Sequence, residues 1–562
     1  MTLSGAWTGV RPLLPSRQDL AAVRRSPRTD LIAGLTVAVV ALPLALGFGI
    51  ASGVGARAGL ITAIIAGALA AIFGGSNLQV TGPTGAMTVV LLPIVNKYGA
   101  DGVLTAGLLA GVLLTVLAVA RAGRLMTFVP APVVEGFTIG IAAVITLQQL
   151  PLALGAAGSH SDKPLVIAAR AIRAYAHDPH VAPIVLATAV CAVILIGGRI
   201  RPTIPMSLLA LAVATVVVNL THVHTARIGS LHAGLSAPSL GFFHLKALSH
   251  LAAPAVAIAA LAALESLMSA TAADAMTVSE RHDSDRELFG QGIANIAAPL
   301  FGGVAATGAI ARTAVNVRSR ATSRLAALTH SVVLAAIALG AGPLVAHIPL
   351  AALAGVLIAT AIRMVEVGSV RALARSGRGE LLLMAITAAA TLLFNLVTAV
   401  VAGLIVAGIR ALRAVADSAR LELVPLHDDL VDVDHHVEEQ ELLHEHIAAY
   451  RIDGPLFFAA AHRFLLELTE VSDVRVVILR MSRVTAVDAT GAYVLKDAID
   501  RLTHRGATVL MSGLRAEHDR RLDALGILDA LKAEGRVFST TPDAITYARG
   551  LLHRQGVLAP AR

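Results

Sequence analysis

From about Asp30 to Arg413 the chain is one apolar stretch after another, each near the length of a bilayer crossing, with short polar links between them. A helix needs about 20 apolar residues to span a hydrocarbon core, with a range of about 17 to 25. Inside that core each backbone N–H and C=O must be paired within the protein, so runs of this kind span as helices. Of the 562 residues, 56% are hydrophobic and 15% are charged, against about 25% charged in soluble domains. The run therefore predicts a mainly helical, polytopic membrane protein.

Applying the length rule gives candidate segments at 30–54 (with Pro43 mid-way), 58–73, 79–95, 103–120, 131–150, 181–196 and 205–219. A polar stretch, 158–180, is read as a loop between the fifth and sixth. A second series follows at 251–276, 288–301, 307–317, 324–341, 350–364, 381–394 and 396–409. Seven segments per half predict two inverted repeats, because an odd number turns the second half over relative to the first.

The third segment of each half is broken. TGPTGAM (81–87) and ATGAIART (306–313) place Gly, Thr and, in the first, Pro inside apolar sequence. Interrupted helices survive at membrane depth only where the freed backbone groups are buried in protein or line a wet cavity. A matched pair of breaks points to a transporter's substrate site. Thr81-Gly82-Pro83 reads as a hydroxyl cap, a flexible Gly and a Pro at the first helical position. Thr307-Gly308 reads as the same cap without Pro. Free N–H groups and the positive dipole ends of two such half-helices would make an anion site.

Charged residues inside these segments are functional candidates. Arg312 lies about one turn into the second half-helix and adds a fixed positive charge. Glu265 sits mid-way along its segment, with Ser269 four residues on and on the same face. Asp274 falls near the segment's end and reads as a boundary charge. The single Cys191 has no partner for an internal disulfide and reads as a small buried residue.

The formal charge of +8 does not point to nucleic acid. The Arg residues cluster at segment ends, the pattern of cytoplasmic loops. The N-terminal stretch carries Arg11, Arg17, Arg24, Arg25 and Arg28, so both termini are expected in the cytoplasm and the protein in the plasma membrane. Loops at 96–102, 158–180 and 222–232 then fall outside. No apolar core with a small-residue cleavage site precedes the first segment, so no signal peptide is read.

After Ala414 the composition becomes that of a soluble domain. VRVVILR (474–480) and ATVLMS (507–512) read as strands, and 491–502 has helical spacing, which together suggest an α/β domain. The acidic, His-rich 427–446 reads as a solvated linker, since it has no regular metal-ligand spacing. The expected organisation is a cytoplasmic N-terminal segment (1–29), a transport domain (30–413), a linker (414–446) and a small α/β domain (447–562).

These motifs resemble the SulP sulfate permeases, the bacterial branch of solute carrier family 26. The resemblance is carried by DLIAGLTVAVVALPLALGFGIASGV (30–54), GGSNLQVTGPTGAM (74–87), ESLMSATAADAMT (265–277) and GGVAATGAIARTAVNVRSRAT (302–322). The tail resembles a STAS domain, named for sulfate transporters and anti-sigma-factor antagonists. The family implies fourteen segments in core and gate domains like those of the uracil permeases, a homodimer, and elevator-like alternating access. It implies an anion held by Phe48, by Thr84, Gly85 and Ala86, and by Gly308, Ala309, Ala311 and Arg312. Leu44 stands where many relatives have Gln, and Ala311 where some have Ser, which shifts the anion's contacts onto backbone N–H groups and Arg312. Glu265 and Ser269 match a coupling-ion pair; Glu at this position favours a proton, with sodium the alternative. In AVDATG (486–491), Asp488 and Thr490 match the Asp and phosphorylatable hydroxyl of the soluble antagonists, although in transporters that loop is often only structural.

The expected function is secondary transport of a small inorganic oxyanion, sulfate or bicarbonate, with dicarboxylates such as fumarate next and an uncoupled exchanger as the nearest rival. A sensor that binds an anion without moving it is the reading from another class. No nucleophile–base motif or spaced metal-ligand cluster suggests an enzyme, and no cofactor or metal is expected.

Overall fold

The computed structural model describes residues 11–124, 130–156, 161, 163–201, 204–229, 234, 237–245, 248–277, 281–394, 396–418, 420–423, 445–457 and 474–557. The chain divides into two compact units, Met1–Ile405 and Val406–Arg562. All but the last two residues of the His-rich stretch 427–446 lie outside the described residues.

The first unit is helical. After a short helix α1 (Arg17–Val23) come α2 (Pro27–Ala51), α3 (Ala56–Phe73), a two-residue strand β1 (Thr81–Gly82), and α4 (Gly85–Val119). Helix α4 contains two of the sequence segments, joined through a non-helical Gly99 at φ 71° and ψ −173°; only Gly takes such a backbone without strain. Then follow α5 (Ala131–Leu154), α6 (Pro164–His177), α7 (Val181–Ile200) and α8 (Met206–Leu220).

The second half repeats the theme with α9 (Leu248–Ala275), α10 (Ser284–Leu300), strand β2 (Thr307–Gly308) and α11 (Ile310–Arg318). Helices α12 (Leu325–Gly340), α13 (Gly342–Ala346), α14 (Leu350–Met364), α15 (Val367–Ser376) and α16 (Arg378–Leu393) follow, and α17 (Leu396–Ser418) contains the division at Ile405. Among the described residues, seven helices are long and apolar enough to cross a membrane. Large apolar side chains stay exposed on these and on shorter helices of this unit, such as Ile32, Val116, Ile196, Leu220, Leu339 and Leu382. Apolar surface on this scale belongs against lipid.

The helices sort into two groups by packing. Helices α2, α3, α4, α9, α10, α11 and α12 pack on one another, and α5 packs with α6, α14 and α16, with α7 against α14. The first group encloses β1 and β2, and so contains both chain breaks.

Two expectations change. The stretch 158–180, read as a loop, contains α6, which buries Ile167, Ala168 and Ala171. Its spacing of small and apolar residues was masked by the polar residues that flank it. Cys191 is only half-buried, because α7 exposes much of its apolar surface.

The second unit holds a sheet of strands β3 (Arg420–Leu423), β4 (Ile447–Leu456), β5 (Val476–Arg480), β6 (Val484–Val487), β7 (Thr508–Ser512) and β8 (Val537–Phe538) in the order β3-β4-β5-β7-β8, with β6 beside β4. Only β3 runs antiparallel; β4, β5, β7 and β8 pair in parallel. Period-two alternation sends Val477 and Leu479 of β5 to one face, where they pack with Leu495 of α18 (Ala489–His504) and Leu522 of α19 (Ala516–Ala524). Val476 and Ile478 go to the other face, with Ala544, Ile545 and Leu552 of α21 (Thr541–Arg554), which follows the short α20 (Asp529–Ala533). Helices on both faces of a largely parallel sheet bury both sides of its strands.

Candidate functional site

The two breaks meet. Strands β1 and β2 pair antiparallel, with Thr81 opposite Gly308 and Gly82 opposite Thr307. Each strand leads within a few residues into a half-helix, α4 or α11, so both half-helix N-termini start from one short ladder. The first N–H groups of such helices have no intrahelical acceptor, and their dipoles favour negative charge.

The caps differ from the sequence reading. Thr84, not Thr81, is the N-cap of α4, and its hydroxyl accepts from the Met87 N–H at 3.4 Å. The Thr81 hydroxyl instead accepts from Gln291 Nε2 at 2.7 Å. Pro83 precedes the helix. Helix α11 begins after Ala309, which has no side-chain cap, and the Thr307 hydroxyl is turned elsewhere. Pairing of β1 with β2 sets both helix starts later than the Thr-Gly pattern suggests, at Gly85 and Ile310.

Both threonines converge on Glu265 of α9. Thr84 Oγ1 donates to Glu265 Oε2 at 2.7 Å, and Thr307 Oγ1 donates to the same oxygen at 2.6 Å. The two hydroxyl oxygens are 3.1 Å apart. One carboxyl thus ties the entry to each half-helix to a third helix. Next to it in sequence, Ser266 Oγ accepts from the Gly308 N–H at 2.9 Å.

Ser269 is not part of this cluster. It lies one turn on, with its hydroxyl 3.0 Å from Thr313 Oγ1, which also accepts from the Val80 N–H at 3.1 Å. Asp274 closes the end of α9 by meeting His282 Nδ1 at 2.7 Å, in keeping with a boundary charge.

Arg312 is only 1% exposed. Its Nη2 donates to the Pro83 carbonyl, which anchors a guanidinium from α11 on the segment that starts α4. Ile310 and Ala311, in the same turn, are exposed, while Arg312 and Thr313 are buried. One side of this turn is therefore open and the other packed.

Phe48 of α2 is buried beside the start of α4. A methyl group on Gly85 would lie 3.1 Å from Phe48 Cε1 and 2.3 Å from Ile145 Cδ1, so both side chains pack close onto the backbone at the start of α4. Leu44 and Ala86 are also buried. The structure thus gathers Phe48, Thr84, Gly85, Gly308, Ala309, Arg312 and Glu265 about one ladder.

A supporting layer went unread in the sequence. Glu287 of α10 accepts from the Gly75 and Ser76 N–H groups at 2.9 and 3.1 Å and from Gln79 Nε2 at 2.8 Å. Asn295 exchanges hydrogen bonds with Ala306 through both its side-chain O and N. Gln291 and Asn295, four apart in an apolar helix, were the available signal: buried polar groups are there to be paired.

In the second unit, Asp488 caps α18 by accepting from the Gly491 N–H at 2.7 Å. Thr490 is exposed in the first helical turn.

Residues 28–387 match the model of the sulfate permease family, and residues 442–544 match the STAS domain. The chain is 35% identical to a protein of Bacillus subtilis named "Putative sulfate transporter YvdB", over 89% of this chain and 93% of that one. It is 32% identical to the solved transmembrane domain of the cyanobacterial bicarbonate transporter BicA, covering 68% of this chain and 98% of that one at a TM-score of 0.60. Murine SLC26A9, an anion transporter solved in an inward-facing state, shares the fold at a TM-score of 0.82 and 16% identity, over 97% of this chain and 95% of that one.

Proposed function

The chain belongs to the sulfate permease family, and from that membership we propose that it is a secondary transporter of a small inorganic oxyanion, sulfate or bicarbonate. It is a membrane transporter rather than an enzyme. The observation that carries the substrate class is the shared origin of two half-helix N-termini at the β1–β2 ladder, with the buried Arg312 bridging them. Phe48, Thr84, Gly85, Ala86, Gly308, Ala309, Ala311 and Arg312 are the proposed anion-binding residues. Neither Leu44 nor Ala311 has a polar side chain, so backbone N–H groups and Arg312 do most of the recognition, which suits a compact anion. The named relatives include a bicarbonate transporter and proteins named as sulfate transporters, which supports these two anions ahead of a dicarboxylate.

Coupling is assigned to Glu265. An ionised Glu265 offsets the Arg312 charge across a buried, low-dielectric site, where such interactions are strong. A proton on Glu265 removes that offset and leaves the Arg312 field for the anion, so proton and anion binding favour each other. Sodium at the oxygens of Glu265, Thr84 and Thr307 is the alternative; Ser269 would join it only by leaving Thr313. Alternation follows an elevator-like course in a homodimer, with fourteen crossings in two inverted repeats of seven. The proposed organisation is an N-terminal segment (1–29), a transport domain (30–413), a linker (414–446) and a STAS domain (447–562), with both termini in the cytoplasm and the protein in the plasma membrane. Asp488 is a structural cap, and Thr490 is the hydroxyl where a regulatory phosphate would meet a helix N-terminus.

Uptake into proteoliposomes tests this directly. Sulfate, bicarbonate and fumarate are compared at several pH values with and without sodium. Uptake of sulfate or bicarbonate driven by an inward proton gradient supports the proposal. Anion binding without uptake would mark a sensor.

A further inference from the structure

The chain breaks between α14 and α15. Val365 (ψ 107°) and Glu366 (ψ 91°) are non-helical, so α14 ends there and α15 starts afresh. Both flanks of α15 expose large apolar side chains: Ile362 in the last turn of α14, and Leu381 and Leu382 near the start of α16. The end of α7 has the same character. It exposes Ile196 and Ile200, and with them Arg199 and Arg201. A Cβ on Gly198 would lie 3.8 Å from Arg363 Nη1, so the ends of α7 and α14 are side by side. Exposed apolar side chains that give way to Arg mark the edge of a hydrocarbon layer. Helix α15 begins at that edge.

Helix α15, VGSVRALARS, has no fully buried residue. It packs on α16 and α5, and Ser369, Val370 and Leu373 are half-buried. Val367, Arg371 and Arg375 follow one another at four-residue spacing, so they share one side, and all three are exposed. Arg363 and Arg378 are exposed at its two flanks. Among the described residues, neither Arg371 nor Arg375 has a side-chain hydrogen bond or an ion pair. Glu366, the acidic residue at the start of α15, accepts from the Ser369 hydroxyl at 3.1 Å. A short helix that carries cations on its open side, at the depth where apolar surface ends, matches the layer of lipid phosphates.

We propose that α15 and its flanking arginines are a binding surface for anionic phospholipid headgroups. Arg371 and Arg375 take the lipid phosphates, with Arg363 and Arg378 on either side. A guanidinium meets a phosphate with two parallel hydrogen bonds and keeps its charge throughout the physiological pH range. The helices involved pack in the group that lacks the β1–β2 ladder, so the lipid holds that group and does not touch the anion site. In the proposed topology the surface faces the cytoplasmic leaflet.

The test is lipid binding by the full-length protein in neutral detergent, titrated with phosphatidylglycerol or phosphatidylcholine and read by native mass spectrometry. The wild type should retain phosphatidylglycerol in preference. Arg371→Gln with Arg375→Gln should weaken that binding roughly thirty-fold, the effect of two cationic contacts, and leave phosphatidylcholine unchanged. Arg371→Lys with Arg375→Lys keeps the charge and should keep most of the binding. Arg515→Gln with Arg520→Gln, both exposed in the second unit, makes the same charge change elsewhere and should have no effect. If the Gln pair does not fold, each single change makes the same comparison at roughly five-fold. A photoreactive side chain at the exposed Ala372, in vesicles of the two lipids, should form adducts with lipid. Equal retention of both lipids by the wild type, binding unchanged in the Gln pair, an equal loss in the Arg515 and Arg520 pair, or adducts with a protein surface in place of lipid would each overturn the proposal.

Discussion

Gly82→Ala moves the Arg312 guanidinium without touching its charge. Gly82 is not among the positive-φ glycines, so Ala accepts its backbone and any effect is steric. The added carbon would lie 2.2 Å from Arg312 Nη1 and 3.3 Å from Cζ. Non-bonded heavy atoms settle at about 3.5–4.0 Å, so the guanidinium end must shift by about 1 Å or more. Arg312 is 1% exposed and its Nη2 is anchored on the Pro83 carbonyl, so the shift is made at the expense of that bond. A hydrogen bond to a charged group contributes about 1.5–3 kcal/mol, which is roughly a ten- to hundred-fold rise in half-saturating anion concentration. The assay is initial-rate uptake in proteoliposomes, with sulfate or bicarbonate, whichever the wild type carries. A melting curve in detergent checks that the helices still pack. On an Arg312→Lys background the same Gly82→Ala change should add little, because Lys has no Nη1 for the methyl to displace. An unchanged half-saturating concentration in Gly82→Ala would refute the claim that the guanidinium's position matters.

Glu265→Gln is expected to keep uptake while removing its dependence on pH; loss of a sodium requirement instead would make sodium the coupling ion and leave the anion site standing. Asp19 accepts from Arg286 at 2.7 Å and lies 3.3 Å from Arg324. Burial acts to raise its carboxyl, but the Arg286 hydrogen bond, the Ser16 N–H and the Arg324 charge outweigh it and hold it at about 2. A depressed carboxyl stabilises the fold above its ordinary range of about 4 and loses that contribution as pH falls through its folded value. Asp19→Asn should therefore melt below wild type at neutral pH, with the gap closing between about pH 4 and pH 2; a gap independent of pH would contradict this. Asp488→Ala removes the α18 cap, at a cost of about 1 kcal/mol, and should speed proteolysis within the second unit of the full-length protein while leaving uptake per folded transporter unchanged.

Much of this molecule is legible in sequence because two periodic signals are strong. Apolar runs of bilayer length marked the segments, and Gly, Pro and Thr inside apolar sequence marked the breaks. Arg312 and Glu265 stood out because charge is costly where they sit. What escaped was set by long-range pairing. Nothing local says that Thr81 meets Gly308, so the caps were placed at Thr81 and Thr307 when the ladder moves the helix starts to Gly85 and Ile310. Ser269 was grouped with Glu265 by helical spacing, but Thr313, 44 residues away, takes its hydroxyl. Helix α6 escaped because its apolar face is short and its flanks are polar.

The central claim is that the anion sits between the starts of α4 and α11, beside Arg312. A density map of the full-length protein in lipid nanodiscs, prepared with and without the anion it transports, locates that anion directly. The account predicts new density within hydrogen-bonding reach of the first N–H groups of both half-helices and close to the Arg312 guanidinium, absent from an Arg312→Ala map. Anion density away from the β1–β2 ladder, or density that persists unchanged without Arg312, would contradict it.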